Sequence, residues 1–335
     1  MPTGAMLRMM NIPIGEATHA AHLPHVLSSQ LEMVFPTGTR VVGVDLGGSN
    51  VRGVLVDVAG SAVSELAEPT SGRDAATVVS QVGGLARRLA VQAGVEWREV
   101  AGVGVGVPGV VGRGTGTLEM APNLPPFGDV DLAEALGLEL GTDVAVDNDV
   151  NMATVGEHIL GLGDGVDEFA FLAIGTGVGM GIVSNGRLLH GTRGAAGEIG
   201  DLRLSDDRTL EEVAGGAGVA ARWARRTGTD GVTAVDVYAA AEAGDRAARE
   251  VIEKQVASVA LAVAAVQAVL DPELVVIGGG IGSRAGFVGL VREEVRRLGA
   301  AVRIERSALG ERAGLVGAAE AARAHALLRP ERVDA

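Results

Sequence analysis

The sequence predicts an α/β protein of two domains, and three observations carry that prediction. A chain of 335 residues is long for a single hydrophobic core. Hydrophobic residues make up 47% while aromatic residues make up only 2%, and there are 51 glycines. Packing must then rest on Ala, Val and Leu with close backbone approaches, which suits helices laid on a sheet better than a β-sandwich. Third, each half of the chain carries a strand, a glycine loop and a second strand. Repetition of that unit predicts a duplicated α/β architecture with ligands at the strand ends.

Taken in order, Met1–Gly38 is broken by Pro13, Gly15, Pro24 and Pro36 and lacks a continuous apolar run. It is expected to be an irregular extension, neither an export signal nor a helix-turn-helix domain. His19, His22 and His25 recur at three-residue spacing, but Pro24 disrupts the helix that would align them as metal ligands. Val41–Asp45 and Val51–Val58 read as a hairpin through Gly47-Gly48-Ser49-Asn50, and Ser61–Leu66 as a third strand. Strand–turn–strand is not the strand–turn–helix of a dinucleotide fingerprint. Ala75–Ala93 has helical spacing and is followed by Gly94. Val100–Val107 is a strand stopped by Pro108-Gly109, and a glycine-rich loop leads to Ala121-Pro122-Asn123-Leu124-Pro125. Asp131–Leu136 reads as a short helix with Gly137 just past its end, and Val144–Val146 as a strand.

The second half opens with a helix over Val150–Ile159, then strand Phe169–Ile174, a glycine loop through Gly181, and strands Gly181–Val183 and Arg187–His190. Leu210–Arg226 reads as helical. Asp245 is placed to cap a long helix that ends before Asp271-Pro272. Leu274–Ile277 is a buried strand ending in Gly278-Gly279-Gly280, and Gly314–Leu328 is a closing helix. The domain boundaries expected are an extension over 1–38, a small domain over 39–146 completed by 314–328, and a large domain over 147–313.

Composition excludes several functions. With 28 Lys and Arg against 42 Asp and Glu, the net charge of −14 argues against a nucleic-acid partner. The absence of cysteine removes disulfides, thiol nucleophiles and cysteine-based zinc. The longest apolar run, Val256–Leu270, contains Ser258 and Gln267 and falls short of the ~20 residues of a membrane span. A cytoplasmic protein with no membrane partner is expected.

The polar residues at the strand ends suggest chemistry. Gly47-Gly48-Ser49 and Gly175-Thr176-Gly177 can each offer backbone N–H groups and a hydroxyl to phosphate, or can be ordinary tight turns. Asp45, just before the first loop, reads as a Mg²⁺ site acting through water or as a turn cap. Asp149 follows a strand and opens a helix, as an N-cap or as a general base for phosphoryl transfer, with Asn148 beside it. Asn123, Glu198 and Glu211 are acceptors of the kind sugar hydroxyls require, or else surface and turn groups.

These segments resemble a known family. Val44-Asp45-Leu46-Gly47-Gly48-Ser49, Asn123 within Ala-Pro-Asn-Leu-Pro, Asp147-Asn148-Asp149-Val150-Asn151, Gly175–Gly179, Gly194–Gly200 and Ile277–Gly280 are similar, in order, to the motifs of the ROK family of bacterial sugar kinases and sugar-responsive repressors. The resemblance implies an actin-like, ribonuclease-H-like ATPase fold whose two domains close on sugar and ATP. It implies that Asp149 is the base for the sugar's primary hydroxyl, with Asn123, Asn148, Glu198 and Glu211 on the other hydroxyls. It implies that Gly47–Ser49 and Gly175–Gly177 hold phosphates and that Gly278–Gly280 lie near the adenosine. A homo-oligomer is implied as well.

One departure is large. The family usually carries a histidine where Asp201 stands, followed by three zinc-binding cysteines that are absent here. The expectation is a variant without structural zinc, with Asp201 as an altered sugar contact. The extension 1–38 is too short for a repressor's DNA-binding domain. An ATP- and Mg²⁺-dependent hexokinase is therefore expected, with glucose as acceptor. The alternatives are an N-acetyl-amino-sugar kinase, a polyphosphate-dependent glucokinase and a non-catalytic sugar sensor.

Overall fold

The computed structural model describes residues 39–327, apart from 58–59, 122 and 205–207. The expected extension, with His19, His22 and His25, lies outside the described residues. Two compact units are present, the first built from residues up to 159, 187–196 and the segment from 312, and the second from 160–186 and 197–311. This division differs from the expected boundary at 146/147, because the helix after the Asp147 motif packs on the C-terminal helix: Met152 shares a buried cluster with Ala318 and Ala321.

In the first unit, β1 (Arg40–Leu46), β2 (Asn50–Asp57) and β3 (Ala62–Pro69) form an antiparallel meander. Helix α1 (Ala75–Gln92) follows, capped by the Asp74 side chain on the Thr77 N–H. Then come β4 (Val100–Val107), the short hairpin of β5 (Val110–Val111) and β6 (Leu118–Glu119), α2 (Leu132–Leu140), β7 (Val144–Asn148) and α3 (Asp149–Leu160). The sheet order is β3-β2-β1-β4-β7, with β1, β4 and β7 parallel.

The alternation of Val and Gly along β1 and β4 has a packing cause. Val42, Val44, Val103 and Val105 enter a core with Val78, Leu85, Leu89, Leu132 and Leu136 from α1 and α2. On the opposite face, a Cβ on Gly43 would stand 2.6 Å from the Leu315 carbonyl oxygen, so the C-terminal helix (Ala313–Leu327) lies directly on the backbone. Helix α2 runs beyond the stop expected at Gly137. Leu136 and Leu140, one turn apart, are both buried, and the helix ends at Gly141 with φ 67°.

The second unit contains β8 (Phe169–Ile174) and β9 (Val178–Ser184), then α4 (Leu210–Ala214), α5 (Gly216–Thr227), α6 (Ala234–Glu242), α7 (Arg246–Leu270), β10 (Leu274–Gly278), α8 (Phe287–Arg297) and β11 (Arg303–Arg306). Within this unit the strands of its sheet run β9-β8-β10-β11, with β8 and β9 antiparallel and β8, β10 and β11 parallel. A hairpin whose first strand also pairs in parallel with a later strand thus occurs in both units. Strand β9 begins at Val178, so the glycine loop is the tight turn 175–177 and not the expected run to Gly181. The helix expected over 210–226 breaks at Gly215. Helices α6 and α8 and strand β11 were not expected.

Helix α7 carries the longest apolar run and, at 25 residues, is long and apolar enough by composition to cross a membrane. Its face of Val251, Val256, Val259, Val263 and Val266 belongs instead to the core shared with β8, β10 and α8. Asp245 caps it by accepting the Ala248 N–H at 2.9 Å.

Candidate active site

In the first unit, Asp45, Gly106 and Asp147 stand in register across the parallel strands β1, β4 and β7. Strands lie about 4.8 Å apart, so the two carboxylate-bearing positions are roughly 10 Å from one another at the C-terminal edge of the sheet. In open α/β sheets ligands gather at that edge.

Asp45 is half-buried, and its carboxylate accepts no hydrogen bond among the described residues. The turn-capping alternative therefore falls away. Burial holds its pKa above the usual carboxylate range, with the Arg52 charge pulling the other way. A poorly satisfied carboxylate beside a glycine turn fits a hydrated divalent cation, which magnesium sites commonly pair with one or two carboxylates and substrate phosphates. The turn itself is closed by the Gly47 N–H on the Asn50 carbonyl at 2.9 Å and by the Thr70 hydroxyl on the Gly47 carbonyl at 2.6 Å. Gly48 packs on Asn123, where an added Cβ would fall 2.6 Å from the Asn123 Cβ. The structure thus brings the first glycine turn, with Ser49, against the exposed Asn123.

At the end of β7, Asn148 supplies the helix cap. Its Oδ1 accepts from the Val150 N–H at 2.8 Å and the Asn151 N–H at 3.0 Å, while its Nδ2 donates to the Gly109 carbonyl at 2.9 Å. One Nδ2 hydrogen is left for a ligand. Asp149 is the first helical residue, half-buried, with Oδ1 accepting from the Val150 N–H at 2.8 Å. The cap that the sequence offered to Asp149 is therefore taken by Asn148. Gly106 makes room for this turn, since a Cβ there would lie 3.4 Å from the Asp149 Cα.

A cavity of about 600 Å³ in the first unit is lined by Val111, Arg113, Asp131, Val144–Asp147 and His190, among others. Asp45, Asn123, Asn148 and Asp149 do not line it. His190 was not singled out from the sequence. Its Nε2 lies 2.6 Å from Asp147 Oδ2, a pairing across 43 residues that no local pattern reveals.

In the second unit, the turn Gly175-Thr176-Gly177 joins β8 to β9, with the Gly175 N–H on the Gly177 carbonyl at 3.0 Å. Gly278 ends β10 beside Ala173 of β8, and a Cβ on Gly175 would stand 3.8 Å from the Gly280 N. Two glycine turns therefore adjoin at the ends of adjacent parallel strands. Gly279 has φ +79°, and a Cβ on it would stand 2.5 Å from the Ile174 carbonyl oxygen. No side chain but hydrogen fits there.

Glu211 lies against the first of these turns, its Oε2 accepting the Val178 N–H at 2.9 Å. Glu198 is half-buried, and its pKa is raised by burial and then by the charges of Asp201 and Glu211. The three expected sugar contacts of this unit thus interact electrostatically. They do so because the backbone at Gly197 and Gly200 lies directly on β9, where a side chain on either would clash with the carbonyl of Met180 or Val178. Among the described residues no group of three or more His, Cys, Asp or Glu is arranged to hold a metal ion.

The ROK family profile matches residues 41–325. The chain belongs to the ROK family. A glucokinase of Halalkalibacterium halodurans is 34% identical over 275 residues, 73% of this chain and 81% of that protein. A beta-glucoside kinase of Listeria monocytogenes is 29% identical over 289 residues, 83% of this chain and 96% of that one. A ROK family glucokinase from Streptomyces griseus, solved with glucose and AMPPNP, matches with a TM-score of 0.75 at 27% identity, covering 85% of this chain and 99% of that chain. This ROK chain is accordingly a sugar kinase with the actin-like ATPase fold. With no cysteine, it has no cysteine-based zinc site.

Proposed function

We propose that this ROK sugar kinase transfers the γ-phosphoryl group of ATP to the primary hydroxyl of a hexose, with glucose at O6 as the favoured acceptor. The observation that carries the proposal is the turn at the end of β7. Asn148 takes the capping duty, and Asp149 opens the helix beside it, half-buried at the edge of the sheet. In the step proposed, Asp149 accepts the O6 proton as O6 bonds to the γ-phosphorus and the bond to the ADP oxygen breaks. Asn123, Asn148, Glu198, Glu211 and Asp201 hold the remaining sugar hydroxyls, each of which would be costly to leave unpaired. The N–H groups of Gly47–Ser49 and Gly175–Gly177 bind phosphate oxygens, and Gly278–Gly280 lie against the adenosine. Asp45 would hold Mg²⁺, which would supply charge neutralisation on the phosphates.

The test is a coupled ADP-release assay over glucose, mannose, N-acetylmannosamine and a β-glucoside, with ATP or polyphosphate as donor. Turnover on glucose with ATP supports the proposal, and turnover confined to an amino sugar or to polyphosphate replaces its finer part. Sugar binding without turnover on any pair turns the reading into a sensor. Asp149→Asn should abolish product formation and leave calorimetric sugar affinity nearly unchanged. Retained turnover removes Asp149 from the role.

A further inference from the structure

The segment Asp147–Asn151 brackets the proposed base with two buried polar residues that the reaction above does not use. Asp147 is 7% exposed, Asn151 3% and His190 8%. Asp147 Oδ1 accepts from the Asn148 backbone N–H at 2.7 Å and from Asn151 Nδ2 at 2.8 Å. Its Oδ2 takes the contact to His190 Nε2 at 2.6 Å. A carboxylate only accepts, so the imidazole donates from Nε2. His190 Nδ1 is buried with no partner among the described residues. A proton there would be left unpaired, so the Nε2–H tautomer fits the site.

All three donors converge on one carboxylate at the point where strand becomes helix. The Asn148 N–H and the Asn151 amide flank the Asp149 backbone, and His190 brings in the segment 187–196. That segment is closed on itself by the Ala196 N–H on the His190 carbonyl at 3.0 Å. It also packs on β5 at Gly194, where a Cβ would clash with the Val111 carbonyl. Asp149 follows directly on the turn that Asp147 holds, so the position of its backbone is set there.

We infer that His190 is a positioning residue for the base, acting through Asp147 to fix the strand-to-helix turn from which Asp149 projects. The inference rests on the proposed kinase reaction for its kinetic consequence, but not for its structural one. A misplacement of about 1 Å at a reacting group can cost on the order of 10²-fold in rate. Asn148, the proposed sugar contact, shares this turn through its N–H on Asp147, so the loss falls on kcat and on KM for glucose, while KM for ATP, whose proposed contacts lie outside the turn, is spared.

The test compares wild type, His190→Leu, His190→Gln and Asp147→Asn with glucose and ATP, alongside amide hydrogen exchange of the free proteins. His190→Leu is expected to lower kcat on the order of 10²-fold with KM for ATP nearly constant, and to speed exchange at the Val150 and Asn151 amides. The glutamine Nε2 can occupy the place of the imidazole Nε2, so His190→Gln should recover most of the loss in both measurements. Should His190→Leu not fold, Asp147→Asn decides: its amide presents a donor to the Nε2–H, and the same kcat loss and faster exchange are expected. Wild-type exchange and kcat in a folded His190→Leu or Asp147→Asn would overturn the inference, as would glutamine failing to outperform leucine. A wild type with no glucose turnover counts against glucose as the acceptor alone, and exchange then decides the positioning role by itself.

Discussion

The Glu211 carboxylate accepts the Val178 N–H at 2.9 Å through one oxygen, while its other oxygen has no protein partner among the described residues. In the proposed reaction one residue would thus support the turn assigned to phosphate and offer an acceptor to the sugar. Removing the side chain and removing only its charge should have different effects. Glu211→Gln can keep an acceptor on Val178 and should raise KM for sugar while sparing KM for ATP. Glu211→Ala loses both functions and should raise both constants, the sugar KM by about 10- to 100-fold for a lost bond to a charged group. Initial-rate kinetics with each substrate varied separately measures this. Equal effects of the two substitutions on ATP would remove the supporting role.

The raised pKa of Glu198 has a consequence for stability. The unfolded chain releases this proton near the ordinary value of 4.5, and the folded chain releases it only at higher pH, because burial, Asp201 and Glu211 all oppose the charge. Stability is therefore lost as pH rises through that window and stays lost above it. Glu198→Gln removes the penalty, so its thermal midpoint should exceed wild type at pH 7, with the difference vanishing near pH 4. Asp201→Asn should give a smaller gain of the same sign. Scanning calorimetry at the two pH values checks both, and a gain independent of pH would contradict the electrostatic cause.

The sequence showed the strands that carry the site because each is an apolar run closed by glycine or aspartate: Asp45 is the last residue but one of β1, Asp149 follows β7 and Gly278 ends β10. It did not show β11, Arg-Ile-Glu-Arg, an edge strand with one inward residue, Ile304, and hence no apolar run. Helix α6 was missed although Thr233 and Asp236 form a capping box, because its Ala-rich body has weak periodicity. The break at Gly215 is tertiary in origin, since that backbone must pass within 2.9 Å, measured from an added Cβ, of the Thr176 carbonyl. The capping role of Asn148 and the His190 partnership of Asp147 depend on Gly109 and on a residue 43 positions away. Motif order could indicate that Asp147–Asn151 matters. Only geometry divides its labour.

The glycine face of the first sheet gives a packing prediction. Cβ atoms on Gly104 and Gly317 would clash with the carbonyls of Ala318 and Met152, both backbone atoms that cannot rotate away. Gly104→Ala and Gly317→Ala should each destabilise by about 1–3 kcal/mol or more, the range for overpacking. Gly84, inside α1, is the control, because its added Cβ would meet only the Arg88 guanidinium at 3.4 Å. Gly84→Ala should stabilise by up to about 1 kcal/mol through helix propensity. Urea denaturation of the three variants measures the contrast, and equal midpoints would mean that the C-terminal helix does not lie on the sheet backbone.

The C-terminal helix also carries a buried ion pair. Arg323 Nη2 lies 2.7 Å from Glu320 Oε1, and the side chains are 5% and 8% exposed. Burial raises the Glu320 pKa more than the Arg323 charge lowers it. Breaking a buried ion pair by removing one partner costs about 3–5 kcal/mol, whereas replacing both by apolar residues of similar volume is often neutral or stabilising. Glu320→Leu alone should therefore lower the denaturation midpoint sharply, and adding Arg323→Met should restore most of it. A double-mutant cycle in urea supplies the coupling. If the double substitution is no more stable than the single, the penalty comes from lost packing and not from the broken ion pair.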